Sequence, residues 1–296
     1  MKELKNCRLC PRNCGVDREN GEAGFCRADS RIKIARADLH FWEEPCLSGT
    51  KGSGTVFFSG CNLRCVFCQN YKISTGDTGW YVTVEELSDI FLKLQEKGAH
   101  NINLVTAVHY IPQVAIALKK AKEKGLLIPV CYNSGGYESV EALKLLEGLV
   151  DIYLPDFKYY DEKYALKYSS AKNYPEIAKS AIAEMFRQVG EPVFSDDGMM
   201  KKGVIVRHLM LPGLLFDSKK IIDYLYSEYK DSIWISIMNQ YTPTKKVEKI
   251  KNLNRPLLKA HYEAMLRYAA ELGVENAFVQ GEGTVGESFV PEFRDE

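Results

Sequence analysis

From residue 54 onward, short apolar runs alternate with longer amphipathic segments, and this alternation limits the possible folds more than any other feature. Helices are predicted at 83–97, 112–124, 139–147, 175–189, 218–229 and 256–272, the first with a capping box formed by Thr83 and Glu86. Strands are predicted between them, at 55–59, 102–106, 128–132, 152–154, 204–211, 233–238 and 277–279. Such alternation indicates a parallel α/β sheet, and six or seven units favour a full or partial (β/α) TIM-type barrel.

Residues 1–50 lack this alternation and are rich in Cys, Arg and Gly. An irregular segment without its own apolar core needs a covalent or metal staple. We therefore predict two parts, a Cys-rich metal-binding N-terminal extension at 1–50 and a barrel domain at 51–296. In the barrel, active groups are expected at the C-terminal ends of the strands.

The charge balance and the hydropathy exclude some functions. Lys plus Arg equals Asp plus Glu, at 39 each, so no global charge favours nucleic acid or an acidic membrane. No segment approaches the roughly 20 apolar residues that span a bilayer, and the N-terminus lacks a signal-peptide core. We expect a cytoplasmic protein, in which nine clustered cysteines indicate metal ligation rather than disulfides.

Three of these cysteines, Cys61, Cys65 and Cys68, follow the first predicted strand with the spacing C-x3-C-x2-C. Three thiolates this close can bind three corners of a cubane cluster and leave its fourth iron open. An open metal position is typical of catalytic sites, because a substrate can bind there. A structural zinc site or a ferredoxin-like cluster would need a fourth ligand nearby, and none is evident.

This spacing, with the aromatic Phe67 before the third cysteine, resembles the signature of the radical S-adenosylmethionine (SAM) superfamily. The resemblance implies a [4Fe–4S] cluster whose open iron binds SAM, and it adds Phe67 to the cofactor-binding candidates. It also implies reductive cleavage of SAM to a 5′-deoxyadenosyl radical that abstracts hydrogen from a substrate. An electron donor of the flavodoxin or ferredoxin type is the implied partner.

The resemblance extends over nearly the whole chain to pyruvate formate-lyase activating enzyme-like proteins of the PflX type. It is carried by the run from Cys7 to Val16, the glycine-rich run at 48–54, Asn70 and the stretch 280–293. It implies an oxidoreductase and leaves the substrate open. A glycine in a partner protein, a peptide and a small molecule are all compatible with it.

Polar residues at predicted strand ends are candidates for binding SAM. Asp156 and Lys158 resemble the D-x-K motif of the activating enzymes, and alternate strand residues face one side. Arg207 resembles the family arginine near the cofactor, and a guanidinium suits a carboxylate. Asn133 and Ser134 have groups that suit ribose hydroxyls. The alternatives are ion pairs for the first three residues and ordinary turn chemistry for the last two.

Two positions depart from the activating enzymes. After the second strand, where that family has a Gly-Gly-Glu type motif, the sequence is Thr106-Ala-Val-His109-Tyr, with no acid. Thr106 or His109 is a candidate replacement there, and His109 is equally consistent with a solvated loop. After the sixth strand, Asn239-Gln-Tyr241 replaces the family histidine. Both departures argue against a strict glycyl-radical activase.

A second set of cysteines, Cys7, Cys10, Cys14 and Cys26, has the spacing C-x2-C-x3-C-x11-C. Four thiolates complete a tetrahedral zinc site, and they would equally ligate an auxiliary [4Fe–4S] cluster. We favour zinc or another structural metal, with Cys46 as an alternative ligand. Further expectations are that Cys131 lies in the core and that His208 packs away from the site.

A different class of function competes with the radical enzyme. A non-catalytic iron–sulfur electron carrier or a metal-stabilised binding module would also contain clustered cysteines. Such a protein would hold a four-ligand cluster that is indifferent to SAM. The three-cysteine loop and the polar strand ends favour the enzyme.

Overall fold

A computed structural model describes residues 1–281 and residue 293 of the chain. Among these residues, the strands are β1 Ile32–His40, β2 Ser53–Phe58, β3 Trp80–Val82, β4 Ile102–Val105, β5 Val130–Ser134, β6 Ile152–Pro155, β7 Val193–Phe194, β8 Met200–Leu209, β9 Trp234–Met238 and β10 Ala277–Val279. The helices are α1 Lys2–Lys5, α2 Pro45–Ser48, α3 Tyr71–Ser74, α4 Val84–Glu96, α5 Ile111–Glu123, α6 Val140–Lys144, α7 Glu162–Ser169, α8 Tyr174–Val189, α9 Leu215–Tyr229 and α10 Lys259–Leu272.

The strands form one sheet in the order β10-β9-β8-β6-β5-β4-β2-β1-β3, with the short β7 attached to β8. From β2 to β10 along this order, each pair is parallel. Within the described residues, β10 and β3 end the sheet and do not pair with each other. The prediction of a parallel α/β sheet is therefore confirmed, in the form of a partial barrel.

Apolar residues on both faces hold the central strands in place. Every residue of β2, β4, β5 and β6 is buried, as expected of parallel strands covered by helices. Helix α4 is capped as the sequence predicts. The Thr83 hydroxyl accepts a hydrogen bond from the Glu86 amide, and the Glu86 carboxylate accepts one from the Thr83 amide. All seven predicted strands and all six predicted helices are present, with shifted ends.

The N-terminal region is more ordered than the sequence analysis predicted. Residues 32–40 form β1, which pairs antiparallel with β2 on one side and with β3 on the other. Its apolar residues Ile32 and Ile34 alternate with Lys33, a signal of a half-buried strand. The irregular part of the extension therefore ends before Ile32, whereas the division into two parts at residue 50 stays a prediction.

No helix in the described part of the chain is long and apolar enough to span a bilayer.

Candidate functional site

The loop between β2 and α3 carries the three cysteines to the C-terminal edge of the parallel sheet. Cys61, Cys65 and Cys68 line one cavity of about 150 Å3, called here the cofactor cavity. The cavity is also lined by residues at or just beyond the ends of the neighbouring strands, namely Val105, Thr106, Asn133, Ser134, Gly135, Asp156, Lys158 and Arg207. Eight of the nine residues predicted to hold the cluster or SAM thus meet in one space.

Two of the three thiols, those of Cys61 and Cys68, lie in a setting that favours neutral sulfur in the absence of a metal. Burial raises the pKa of Cys61 to about 12 and that of Cys68 to about 11. Two donors reach the sulfurs: the Leu63 amide lies 3.4 Å from the Cys61 Sγ, and the Ser169 hydroxyl lies 3.0 Å from the Cys65 Sγ. Ligation to iron would give the buried thiolates the charge partner that they lack.

A charged chain lies beside the thiols. The Lys158 Nζ is 2.6 Å from the Asp156 carboxylate, and the Arg207 Nε is 3.0 Å from the other oxygen of that carboxylate. Burial alone would raise the pKa of Asp156, but the two cations outweigh it, so the pKa lies below its usual range. Asp156 and Arg207 are neighbours because β6 and β8 pair in parallel at this level.

Arg207 has less freedom to bind a ligand than predicted. Its Nη2 donates to the Asn133 Oδ1 at 2.6 Å, and its Nη1 lies 3.2 Å from a carboxylate oxygen of Glu43. Asn133 in turn donates to the other oxygen of Glu43 at 3.2 Å. Because each guanidinium nitrogen already has a protein acceptor, Arg207 fits a positioning role better than direct binding.

Glu43 was missed by the sequence analysis. It lies in the connection between β1 and α2, and it is separated from Arg207 by 164 residues. Burial raises its pKa, while Arg207 opposes that shift. No local motif marks such a residue, because its role depends on where the sheet places its partner.

Two features fix the segment after β5. The Ser134 hydroxyl donates to the buried Glu138 carboxylate at 3.1 Å, and burial raises the pKa of Glu138 to about 8. Gly136 has a φ of +71°, and a Cβ there would lie 2.1 Å from the Asp156 carbonyl oxygen. Only glycine allows these two strand ends to approach so closely.

Thr106 lies where the activating enzymes have their Gly-Gly-Glu type motif, which this sequence lacks, and it lines the cofactor cavity. Its φ is +62°, a left-handed conformation that is rare for a β-branched residue. Its amide donates to the Asn133 carbonyl at 2.9 Å, which ties the ends of β4 and β5 together. His109, the other candidate, is fully buried and lines a different pocket. The expectation of a solvated loop for His109 is wrong.

Several candidates lie away from the cofactor cavity. Phe67 is buried, packs edge-on against Tyr241 at 6.1 Å between ring centroids, and does not line the cofactor cavity, so its contact with the cofactor stays a prediction. Cys46 packs with Cys131 in a separate apolar cluster and does not join the other N-terminal cysteines. His208 is buried and bonds to the Phe157 carbonyl and the Ser218 hydroxyl, in agreement with its predicted packing role.

Of the C-terminal stretch 280–293, only Gln280, Gly281 and Phe293 are described. Gln280 accepts from the Asn239 amide at 2.8 Å, and Phe293 packs against Phe57. The rest of this stretch lies outside the described residues.

The four N-terminal cysteines also converge. Cys7, Cys10, Cys14 and Cys26 line a pocket of only about 10 Å3, called here the thiol pocket, together with Arg18 and His109. Part of its wall is a backbone turn in which Cys7 exchanges hydrogen bonds with Gly15 and Val16. The four cysteines that the sequence spacing grouped together therefore also lie together in the structure.

The chemistry of both groups fits thiolate-bound metal. Three thiols in a cavity with room for a multi-atom group suit a cluster with one open iron, and the nearby Lys158 suits its anionic ligands. Among residues 1–281 and 293, however, no set of three or more His, Cys, Asp or Glu side chains stands in finished coordination geometry. The sulfurs therefore line the two spaces without forming a completed coordination shell.

Comparison with known proteins identifies the class. Residues 55–225 match the Radical SAM superfamily, and this match spans more than half of the chain. The protein belongs to the radical SAM superfamily, a family of enzymes that use a [4Fe–4S] cluster and SAM.

The chain is also 32% identical over 282 residues to the uncharacterized protein MJ0674 of Methanocaldococcus jannaschii, covering 92% of this chain and 76% of that protein.

Solved structures agree with the fold. Streptococcus suis SuiB bound to its precursor peptide SuiA matches with a TM-score of 0.51 and 11% identity, over 76% of this chain and 47% of that one. Methylornithine synthase, PylB, matches with a TM-score of 0.51 and 15% identity, over 74% of this chain and 60% of that one. In both cases the chain spans less than two thirds of the matched protein. At these identities the likeness concerns the fold alone.

Proposed function

We propose that this protein is a radical SAM oxidoreductase that cleaves SAM reductively and uses the resulting radical to abstract hydrogen from a substrate. The observation that carries the proposal is the single cavity shared by Cys61, Cys65 and Cys68 and by the polar ends of β5, β6 and β8. When bound, the cluster supplies the electron that splits the sulfonium of SAM into methionine and a 5′-deoxyadenosyl radical.

The chain's own residues would hold and orient the cofactors. Cys61, Cys65 and Cys68 would ligate three irons. Lys158 and Asp156 offer a cation and an anion to the zwitterionic methionyl end of SAM. Asn133 and Ser134 offer amide and hydroxyl groups to the ribose. Arg207 and Glu43 would position this set through the Asp156 and Asn133 side chains.

The substrate proposal is broader. The resemblance to activating enzymes favours a glycine in a partner protein. SuiB, whose structure contains a precursor peptide, is a relative in fold that binds a peptide. A peptide or protein substrate is therefore our first choice, and a small molecule is the second. A flavodoxin- or ferredoxin-like donor would supply the electron, and a cytoplasmic location, which we propose, would keep the cysteines reduced.

The four N-terminal cysteines are proposed as a second metal site, and residues 51–296 as the catalytic part of the chain. The thiol pocket lies apart from the cofactor cavity and shares no lining residue with it. Its occupant is considered in the next section.

The test is the electron paramagnetic resonance spectrum of anaerobically reduced protein, recorded with and without SAM. We expect a [4Fe–4S]⁺ signal that changes when SAM is added, because SAM binds the open iron, and 5′-deoxyadenosine as a product. A cluster signal that ignores SAM would overturn the proposal in favour of an electron carrier. Zinc without any cluster would favour a metal-stabilised binding module.

A further inference from the structure

The thiol pocket offers far less space than the cofactor cavity. Space for a single water-sized occupant is roughly 10–15 Å3, and the thiol pocket has about 10 Å3. The cofactor cavity, with about 150 Å3, exceeds that by an order of magnitude. Four sulfurs around a space for one atom suit a single ion rather than four irons and four sulfides.

A buried cation without a carboxylate stands beside these sulfurs. Arg18 is 0% exposed, and in the described part of the chain it forms no ion pair with a carboxylate. Its nitrogens donate to the carbonyls of Asp29 and His109, and its Nη1 lies 3.9 Å from the Cys7 Sγ. An isolated buried charge is costly, so an anionic partner is expected. Four thiolates around a divalent ion carry a net charge of −2 and supply that partner.

His109 forms another wall of the thiol pocket and has an unpaired acceptor. Its Nε2 lies 2.8 Å from the Ser59 carbonyl and must donate there, because a carbonyl oxygen only accepts. The ring is neutral, since burial and then Arg18 lower its pKa to about 3. The lone pair is therefore on Nδ1, which is buried with no hydrogen-bond partner. A bound cation nearby would stabilise this lone pair.

Cys14 is the most exposed of the four cysteines, yet its surroundings are shaped for a ligand. The Phe25 amide donates to the Cys14 Sγ at 3.5 Å. A Cβ on Gly24 would lie 2.9 Å from the same sulfur, so the glycine leaves room for it. Amide donors and close backbone approach stabilise metal-bound thiolates, which supports Cys14 as the fourth ligand.

The thiol pocket also adjoins the loop that carries the cofactor cysteines. Arg12 donates from Nε to the Asn62 carbonyl at 2.9 Å, and Arg64 donates to the carbonyls of Cys61 and Phe25. A Cβ on Gly60 would lie 2.6 Å from the Cys26 carbonyl oxygen. The segment around Cys26 therefore fixes the backbone from which Cys61 projects.

We propose that the thiol pocket binds one zinc-class divalent ion through the thiolates of Cys7, Cys10, Cys14 and Cys26, and that this ion holds the cofactor loop in place. Arg18 balances the charge of the ion site, and His109 joins the site to the loop through Ser59. The ion is a structural staple and transfers no electrons. The ion site itself stands without the proposed function, whereas its role in holding the loop rests on it.

The decisive experiment uses a variant that lacks the three cluster cysteines and keeps the thiol pocket intact. In the full chain with Cys61, Cys65 and Cys68 all changed to Ala, we expect about one zinc and almost no iron per chain by elemental analysis. Cobalt in place of zinc should give the intense absorption of tetrahedral thiolate coordination. Iron and sulfide in this variant would overturn the proposal in favour of an auxiliary cluster. Absence of zinc and of cobalt binding would overturn it outright.

Single substitutions test the individual groups in the same background. Cys10→Ser should abolish zinc binding, whereas Cys131→Ala, a buried cysteine outside both groups, should leave it unchanged. Arg18→Met should weaken zinc binding about 10- to 100-fold, the usual effect of a supporting residue, with the exposed Arg8→Met as the matched control. Equal zinc affinity in the two arginine variants would overturn the charge-balancing role.

The loop-holding role has its own readout in the variant with Cys61, Cys65 and Cys68 changed to Ala, where a chelator has no cluster to remove. Removing zinc from this variant with a chelator should speed amide hydrogen exchange at 59–66 and leave β4 and β5 protected. Unchanged exchange in this loop would overturn the stapling role and leave the ion site intact. Because no cluster or SAM chemistry is measured, failure of the proposed function would not produce that result.

Discussion

The two cysteine groups differ in the space and the charge around them. Cys61, Cys65 and Cys68 border a cavity of about 150 Å3 with a charged chain of Lys158, Asp156 and Arg207. The four N-terminal thiols border about 10 Å3 together with two arginines, Arg12 and Arg18, and no carboxylate. A roomy cavity with both signs of charge suits a cluster and a zwitterionic ligand. A small pocket with cations alone suits a single anionic metal complex. The number of cysteines alone does not separate these uses.

The largest effect is expected at the cofactor cavity, and it tests whether the two cysteine groups bind their metals independently. Cys65→Ala should abolish the cluster, because two thiols cannot hold it, and should leave the zinc content unchanged. Iron, sulfide and zinc analyses would measure both metals in one sample. Circular dichroism should stay close to wild type, because Cys65 lies in a loop rather than in the sheet. Loss of the whole fold, or loss of zinc together with iron, would show that the two groups are not independent.

The next effect concerns the charged chain. Asp156→Ala should weaken SAM binding at least about tenfold, or roughly 1.4 kcal/mol, because Lys158 and Arg207 lose their shared carboxylate. It should also destabilise the fold by about 3 kcal/mol, since Lys158 loses its carboxylate partner and Arg207 keeps only Glu43. Titration calorimetry with cluster-loaded protein would measure the affinity.

Two controls accompany that measurement. Asp77→Ala removes an exposed carboxylate outside the cavity and should leave SAM affinity unchanged. Asp156→Asn keeps the shape of the side chain without its charge and guards against a variant that does not fold. Wild-type affinity in both Asp156 variants would remove this residue from the site.

The sequence predicted the part of the site that local spacing determines. The cysteine triad follows a recognisable strand, and Asp156 and Lys158 follow another, so the parallel sheet brings both to one edge. Glu43 and Arg18 were missed because their partners are far away in sequence, 164 residues for Glu43 with Arg207 and 91 for Arg18 with His109. β1 was missed despite its alternation, because the surrounding cysteines and glycines suggested an irregular segment. The role of Phe67 stays a prediction, because a motif position does not fix the direction of a side chain.

A pair of glycines compares a close-packed position beside the cofactor cavity with an open position at the other end of β6. Gly136 and Gly148 both have positive φ, +71° and +75°, but only Gly136 has atoms close to the position of a Cβ. Gly148→Ala should cost about 1–2 kcal/mol of folding free energy from the backbone alone. Gly136→Ala should cost about 1–3 kcal/mol more, because the Asp156 carbonyl must move. Denaturant unfolding would measure both, and equal costs would contradict the close approach.

The last prediction is a pH dependence of stability at the cofactor region. Burial raises the pKa of Glu138 from about 4.5 to about 8, so the folded protein holds a proton that the unfolded chain releases. The stability linked to this proton is complete below pH 4.5 and declines as the pH rises towards 8, by at most about 1.4 kcal/mol per pH unit. Glu138→Gln keeps a neutral group beside Ser134 and should flatten this decline. Denaturant midpoints at pH 5 to 8.5 would test it. A wild-type slope in the variant would place the proton elsewhere, whereas a flattened slope with unchanged zinc content would assign it to the cofactor region and not to the thiol pocket.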